Sequence, residues 1–452
     1  MSHDQTPINA KRRAFLKSAA AVSGSSALGG YLLTQSQDAH AAEIVNQSVR
    51  VVIVGSGLGG QAAAHRLRKQ LPNAKITIID AKKEHIYQPG LTLVGTGIWN
   101  DAAGVSLGDN AGLTPAGVDL IPESVAEFKP ESNQVITSGG QTVPYDFMIV
   151  ATGTHQKWDA IEGMDVNAIG QNGLGSVYPG KDAAVNTWKA MDEFAKKGGR
   201  ALNTLPKTFL KCAGAPLKIT FMVEDRLKRA GTLGQSKVEF FSALPKTIFS
   251  VKSVNDNVIE RWNKLENPVP VTYSRNLVGI DIGGRKAHFK NENDQVVTES
   301  YDFIHIAPPQ SAILPVVNSA LAVQEDGPQK GWLNVSKDTL QHKVFSNVFG
   351  LGDTNGTPRG KTAATVKKST PIVVHNLLQV IQGKPADKKF DGYTSCPLLI
   401  REGSAMLIEF DYDGNLIPSL PMIEPLKDSY LAWLLKYALL KPAYVATLKG
   451  HV

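Results

Sequence analysis

Cysteine is almost missing from this chain. Its 452 residues contain two, Cys212 and Cys396, 184 positions apart. Neither has a neighbour at metal-ligand spacing and the ten histidines are scattered, so no metal centre is expected. His85, His155, His305 and His342 read as core or surface residues rather than catalytic ones. No internal repeat is present, and no uninterrupted apolar run reaches the roughly 20 residues that a membrane-crossing helix needs. Charge is thin as well: a net +7, falling to about +5 once the first 41 residues are set aside, is too mild to indicate nucleic acid. At 42% hydrophobic and 20% charged, this is a globular chain of two or three domains. The absence that decides most is that of a second G-x-G-x-x-G motif.

The first such motif is complete. VRVVIV (Val49 to Val54) is a β-branched strand, and GSGLGG follows with Gly55, Gly57, Gly59 and Gly60. A helical stretch, QAAAHRLRKQL, leads to a second strand, KITIID, ending in Asp80, twenty residues past Gly60. Strand, glycine loop, helix, strand and acid in this order form the dinucleotide fingerprint. The glycines let the backbone approach a pyrophosphate at a helix N-terminus, and Asp80 can accept from ribose hydroxyls. Two later segments favour FAD over NAD. DFMIVATGT runs a strand into Ala151, Thr152 and Gly153, and NVFGLGDTN runs another into Gly352 and Asp353. A helix pattern opening at Lys361 and Thr362 follows. Both segments resemble FAD-dependent disulfide-reductase-like enzymes, in which a helix N-terminus stabilises a reduced, anionic flavin.

Between these segments lies another β–α–β unit. LPKTFLK (Leu205 to Lys211) reads as a strand, CAGAP (Cys212 to Pro216) as a tight loop, the residues to Gly231 as a helix and KVEFFSAL as the next strand. A nicotinamide-binding relative would carry glycines at this first turn; here Gly214 stands alone beside a thiol. Lys211 and the helix N-terminus favour the thiolate, the reactive form. The plain alternative is a buried small hydrophobe. Cys396 lies in DGYTSCPLLI, read as a loop just before a strand. A structural disulfide between the two cysteines remains an equally simple reading at this point.

The stretches EHIYQPGLTLVGTG, KCAGAP, GWLNVSKDTLQHKVFSNVFGLGDTN, KTAA and DGYTSCPL resemble sulfide:quinone oxidoreductases of the subgroup that includes mitochondrial enzymes. The likeness runs from about Val49 to the C-terminus. It implies an α/β fold of two Rossmann-like domains with a C-terminal membrane-associating region. The expected divisions are 1–41 signal peptide, 49–160 first FAD-binding part, 161–297 second Rossmann-like domain, 298–385 second FAD-binding part, and 386–452 redox-cysteine loop, hairpin and membrane segment. It also implies that hydrosulfide attacks a Cys212–Cys396 disulfide or trisulfide, leaving a persulfide on Cys396. Cys212 is then the thiolate that attacks the flavin C4a position. Electrons go on to a membrane quinone and the sulfur to a small thiol or sulfite. A three-cysteine mechanism is excluded by the count. The loop EHIYQPGL holds no cysteine to bind flavin covalently, so FAD is expected to be non-covalent.

The termini bear on location. Arg12-Arg13 followed by Phe15-Leu16-Lys17 resembles a twin-arginine export signal, and Ala39-His40-Ala41 fits a cleavage site. A periplasmic protein that keeps a disulfide is therefore expected. In PLKDSYLAWLLKYALLKPAYVATLKG, Tyr430, Trp433, Tyr437 and Tyr444 interleave with Lys427, Lys436, Lys441 and Lys449. This suits a helix lying in a membrane interface; an amphipathic helix on the core or on a second copy is the alternative. A homo-oligomer is compatible with the sequence. The competing functions are the flavoprotein subunit of a flavocytochrome c sulfide dehydrogenase, a type II NADH:quinone reductase, and a non-catalytic flavin-bearing partner.

Overall fold

The computed structural model describes residues 43–452; the export signal expected at 1–41 lies outside them. The elements that build the site run along the chain as β1 (Arg50–Val54), α1 (Leu58–Gln70), β2 (Lys75–Ile79), β3 (Val118–Ile121), β4 (Phe147–Val150), α2 (Lys181–Lys197), β5 (Arg200–Leu205), α3 (Ala215–Ala230), β6 (Lys237–Ser242), β7 (Phe303–His305), β8 (Val348–Gly350), α4 (Ala363–Ile381), β9 (Thr394–Arg401) and β10 (Ser404–Phe410).

Two parallel sheets follow from two runs of buried, β-branched strands. The first has the order β8–β4–β1–β2–β3. Its central strand is buried on both faces from Val51 to Val54, as a sheet covered on both sides requires. The second has β7, β5 and β6 at its centre, with Leu174–Gly175 and Val271–Thr272 at its edges. Helix α3 packs on this sheet through Phe221, which meets Trp262, itself against Phe240 at 5.1 Å.

Three expectations need correction. The strand read at 205–211 ends at Leu205, because Pro206 has no N–H to continue the ladder; residues 206–214 are a loop that carries Cys212. The strand Phe303–His305 pairs with β5, so the chain returns to the first sheet later than residue 298. Cys396 stands inside β9, not in a loop before it. Pro397 is tolerated there because β9 is the edge of its sheet and pairs only with β10.

Candidate active site

At α1 the first strand turns sharply. Gly55 has φ +108°, and a Cβ on it would lie 2.4 Å from the Ala151 carbonyl oxygen. A Cβ on Gly60 would lie 1.8 Å from the Gly55 carbonyl oxygen. These two glycines thus serve the turn itself. Gly57 does something else: it caps α1, no side chain caps the helix, and nothing lies within 4 Å of where its Cβ would be. It opens on a cavity of about 320 Å³. Gly59, Ala151, Gly153, Gly352, Asp353, Lys361 and Thr362 line the same cavity. Gly55, Gly60, Asp80 and Thr152 are not in its wall. Asp80 accepts from the Ser56 N–H at 2.7 Å and the Ser56 hydroxyl at 2.9 Å, and Thr152 Oγ1 donates to Thr354 Oγ1 at 3.1 Å. Free helix N–H groups over glycine, facing an open space, are what a pyrophosphate needs, so the residues present fit a dinucleotide.

Lys361 plays a part the sequence does not reveal. Its ammonium donates to the carbonyls of Asp353 (2.7 Å) and Asn355 (2.9 Å) and sits 3.5 Å over the Trp332 ring. It ties together the loop that presents Gly352 and Asp353. Burial pushes it down to about 7, against the nearby Asp353 carboxylate. The Asp353 carboxyl is itself held above its ordinary range by burial.

The two cysteines reach the cavity from different elements. Cys212 takes a left-handed backbone, φ +51°, unusual for a side chain of its size. Its N–H donates to the Lys361 carbonyl at 2.9 Å, and its own carbonyl accepts from Ala215 at 2.7 Å. This pins the thiol between the flavin-motif loop and the start of α3. Cys396 approaches from β9 and is 4% exposed. Gly214 makes the approach possible, because a Cβ there would stand 2.4 Å from Cys396 Sγ. Gly214→Ala is therefore expected to slow disulfide formation on the order of 10²-fold, the cost of displacing reacting groups by about 1 Å. The check is the rate of thiol loss when the reduced protein is mixed with an oxidant; a rate equal to the parent would rule the spacing role out.

Lysines surround the sulfur pair. Lys218, on the first turn of α3 and 2% exposed, places its ammonium 3.4 Å from Cys212 Sγ. Lys436 is 3% exposed and donates to the Pro89 carbonyl. Cys396 hydrogen-bonds to Cys212; despite burial, that bond and the charges of Lys218 and Lys436 hold the Cys212 thiol well below its ordinary range. The same bond and burial push Cys396 well above it. Burial opposes the charge on Lys218, but the two sulfurs outweigh it and keep the ammonium charged. Lys436, with burial and Lys218 against it, falls to about 7. Lys211 is lowered to about 8, mainly by burial, and donates to Gln88 Oε1 at 3.0 Å. In the reduced pair the surroundings thus favour the charged form of Cys212 over that of Cys396, with the Lys218 ammonium facing it.

Comparison with known proteins favours one of the competing functions. The pyridine nucleotide-disulphide oxidoreductase family matches residues 49–193. The mitochondrial sulfide:quinone oxidoreductase of Dictyostelium discoideum is 37% identical over 404 residues, covering 89% of this chain and 86% of that protein. The mouse mitochondrial enzyme is 34% identical over 373 residues, covering 82% and 80%.

The chain belongs to the sulfide:quinone oxidoreductase family. The solved sulfide:quinone oxidoreductase of Aquifex aeolicus has the same fold, with a TM-score of 0.69 at 21% identity, covering 89% of this chain and 92% of that one.

Within the family fold, the C-terminal segment is a broken helix with one side packed on the core. Residues 430–448 form a short helix, a single π-turn at Leu435–Leu439 and a second helix. Lys436 points inward to the sulfur pair. Tyr444 is buried, its hydroxyl 2.9 Å from His85 Nε2. In the sequence both stand among the interleaved lysines and aromatics with no side assigned to them. Hydrophobic periodicity does not place them because a π-turn, which often marks a functional site, breaks the 3.6-residue spacing, and because a buried lysine looks from sequence like a surface one. Lys218, buried in the same way, is equally indistinct from a surface lysine in the sequence. Its one sequence signal is a position six residues after Cys212, which puts it one turn into the helix beyond Gly214. Tyr430, Trp433 and Tyr437 do form an outer ladder, with ring centroids 5.5 and 4.7 Å apart.

Proposed function

We propose that this protein oxidises sulfide at the Cys212–Cys396 pair and delivers the electrons, through non-covalently bound FAD, to a membrane quinone. One observation carries the reading: a hydrogen-bonded pair of thiols, held against Lys218, opens into the cavity lined by the flavin-motif glycines. Cys212 occupies the loop where a nicotinamide motif would otherwise stand, and Cys396 meets it from β9. Gly57, Gly59, Gly153, Gly352, Asp353, Lys361 and Thr362 would hold the flavin, and Asp80, bonded to Ser56, would brace the glycine loop.

Hydrosulfide attacks Cys396 Sγ of the oxidised pair. A new sulfur–sulfur bond forms on Cys396, the Cys212–Cys396 bond breaks, and Cys212 leaves as a thiolate whose charge Lys218 stabilises. A small thiol or sulfite removes the added sulfur and frees Cys396 as a thiol. Re-forming the disulfide releases two electrons. Bound FAD supplies the two-electron acceptor for that oxidation.

Among the described residues no helix is long and apolar enough to cross a membrane. The Tyr430–Trp433–Tyr437 ladder, with Met422 56% exposed nearby in sequence, supports peripheral attachment by the C-terminal segment. The twin-arginine sequence supports a periplasmic site, where the disulfide is stable.

The test is anaerobic stopped-flow absorbance of the detergent-solubilised protein with sulfite present as the sulfur acceptor. Bleaching of the flavin by sulfide but not by NADH, reversed by a quinone, is the expected result. Bleaching by NADH contradicts the reading, and recovery with cytochrome c but not quinone moves the protein to the flavocytochrome alternative.

A further inference from the structure

Tyr178 shares the cavity wall with both cysteines, and both sulfurs act electrostatically on its phenol. Its ring centroid stands 6.3 Å from that of His305. His305 on β7 is the register partner of Asn203 on β5, so the two side chains stand on one face of the second sheet. Exposure is 3% for Tyr178 and 0% for His305 and Asn203. Five polar atoms in this group have no hydrogen-bond partner among the described residues: Tyr178 Oη, both side-chain amide atoms of Asn203 and both ring nitrogens of His305.

Buried polar atoms are almost always satisfied, and leaving one orphaned costs about 1–3 kcal/mol. Here the orphans belong to neighbouring side chains and include both donors and acceptors. One or two waters, each taking two to four partners, would satisfy them. The group is also uncharged: burial pushes His305 down to about 3, so its imidazole stays neutral, a donor at one nitrogen and an acceptor at the other. That chemistry suits a small neutral hydrogen-bonding molecule and not an ion.

We propose that Tyr178, His305 and Asn203 hold buried water beside the sulfur pair, and that this water donates a hydrogen bond to the Cys212 thiolate. The proposal rests on Cys212 being the leaving thiolate of the function above. Tyr178 is a positioning residue that anchors the water nearest the sulfur, while His305 and Asn203 anchor it from behind. Cys212 is faced by Cys396 from β9, Lys218 from α3 and Lys436 from the C-terminal segment, and it also feels Lys211 and Asp353. Lys218 supplies charge. The water supplies dipoles already oriented in a dry site, the arrangement that favours an anion at least reorganisation cost.

The experiment uses full-length, flavin-loaded protein in a Cys396→Ser background, where Cys212 is the sole thiol. Its alkylation by iodoacetamide is followed by mass spectrometry across pH. Tyr178→Phe is expected to move the profile about one pH unit higher, with an alkylation rate about tenfold lower at a pH below the transition. His305→Phe and Asn203→Leu shift it in the same direction. His305→Gln, which keeps a donor and an acceptor, stays near the parent. An unchanged profile in Tyr178→Phe overturns the proposal, as does an equal shift in His305→Gln and His305→Phe, which would mark a packing role. Flavin content and melting temperature establish that each variant is folded; should His305→Phe fail, Tyr178→Phe and Asn203→Leu decide. Neither sulfide nor quinone enters the assay, so its failure is distinct from a failure of the proposed function.

Discussion

Cys212→Ser is expected to abolish flavin bleaching by sulfide, lowering its rate by a factor on the order of 10³ or more, as loss of a nucleophile does, while flavin content stays at the parent level. The two halves of this result have separate causes. Flavin retention follows because serine is nearly the size of cysteine in the cavity wall and because the bond that ties Cys212 to the flavin-motif loop is a backbone one: the Cys212 N–H donates to the Lys361 carbonyl. Serine can keep that bond. Loss of bleaching follows because a hydroxyl at this position neither forms a sulfur–sulfur bond with Cys396 nor ionises near neutral pH. Cys396→Ser should give the same loss. Stopped-flow absorbance beside a flavin extraction reads both quantities. Bleaching at the parent rate in either variant would make the cysteines structural.

Lys218→Met is expected to slow the same half-reaction about 10- to 100-fold, with the rate recovering as pH rises. The sign follows from the geometry. The Lys218 ammonium, 3.4 Å from Cys212 Sγ, favours the charged form of the thiol. Without it Cys212 keeps its proton to higher pH and becomes a poorer leaving group. Methionine has nearly the same length, so the buried stem remains packed, and a protonated thiol leaves no charge unpaired. A pH profile of sulfide bleaching in both proteins checks this. Equal profiles would show that Lys436 or the α3 N-terminus carries the stabilisation instead. A uniform slowing with no change in pH dependence would point to distorted packing.

Much of this site is legible in the sequence because its chemistry is carried by backbone. The glycine register at 55–60, the strand-end Gly352–Asp353 and the emptied loop around Gly214 are written as residue types, each with a steric reason that a chain pattern preserves. What the sequence hides is held by side chains from distant segments. Lys218 and Lys436 look like surface lysines until folding brings α3 and the C-terminal segment to the same sulfur pair. Tyr444 looks like an interfacial aromatic until His85 meets it. Cys396 appears to sit in a loop because proline usually ends strands, and only the sheet order shows β9 to be an edge where Pro397 does no harm. The polar cluster of Tyr178, Asn203 and His305 is invisible in one dimension, since two of its members lie about a hundred residues apart on adjacent strands.

The most direct test of the central claim is to ask where the sulfur goes. The oxidised protein is mixed anaerobically with one equivalent of sulfide in the absence of an acceptor, quenched with an alkylating agent, digested and analysed by mass spectrometry. The account predicts one added sulfur atom on the peptide carrying Cys396 and an alkylated, unmodified Cys212. A bleached flavin with no extra sulfur on either cysteine would contradict it.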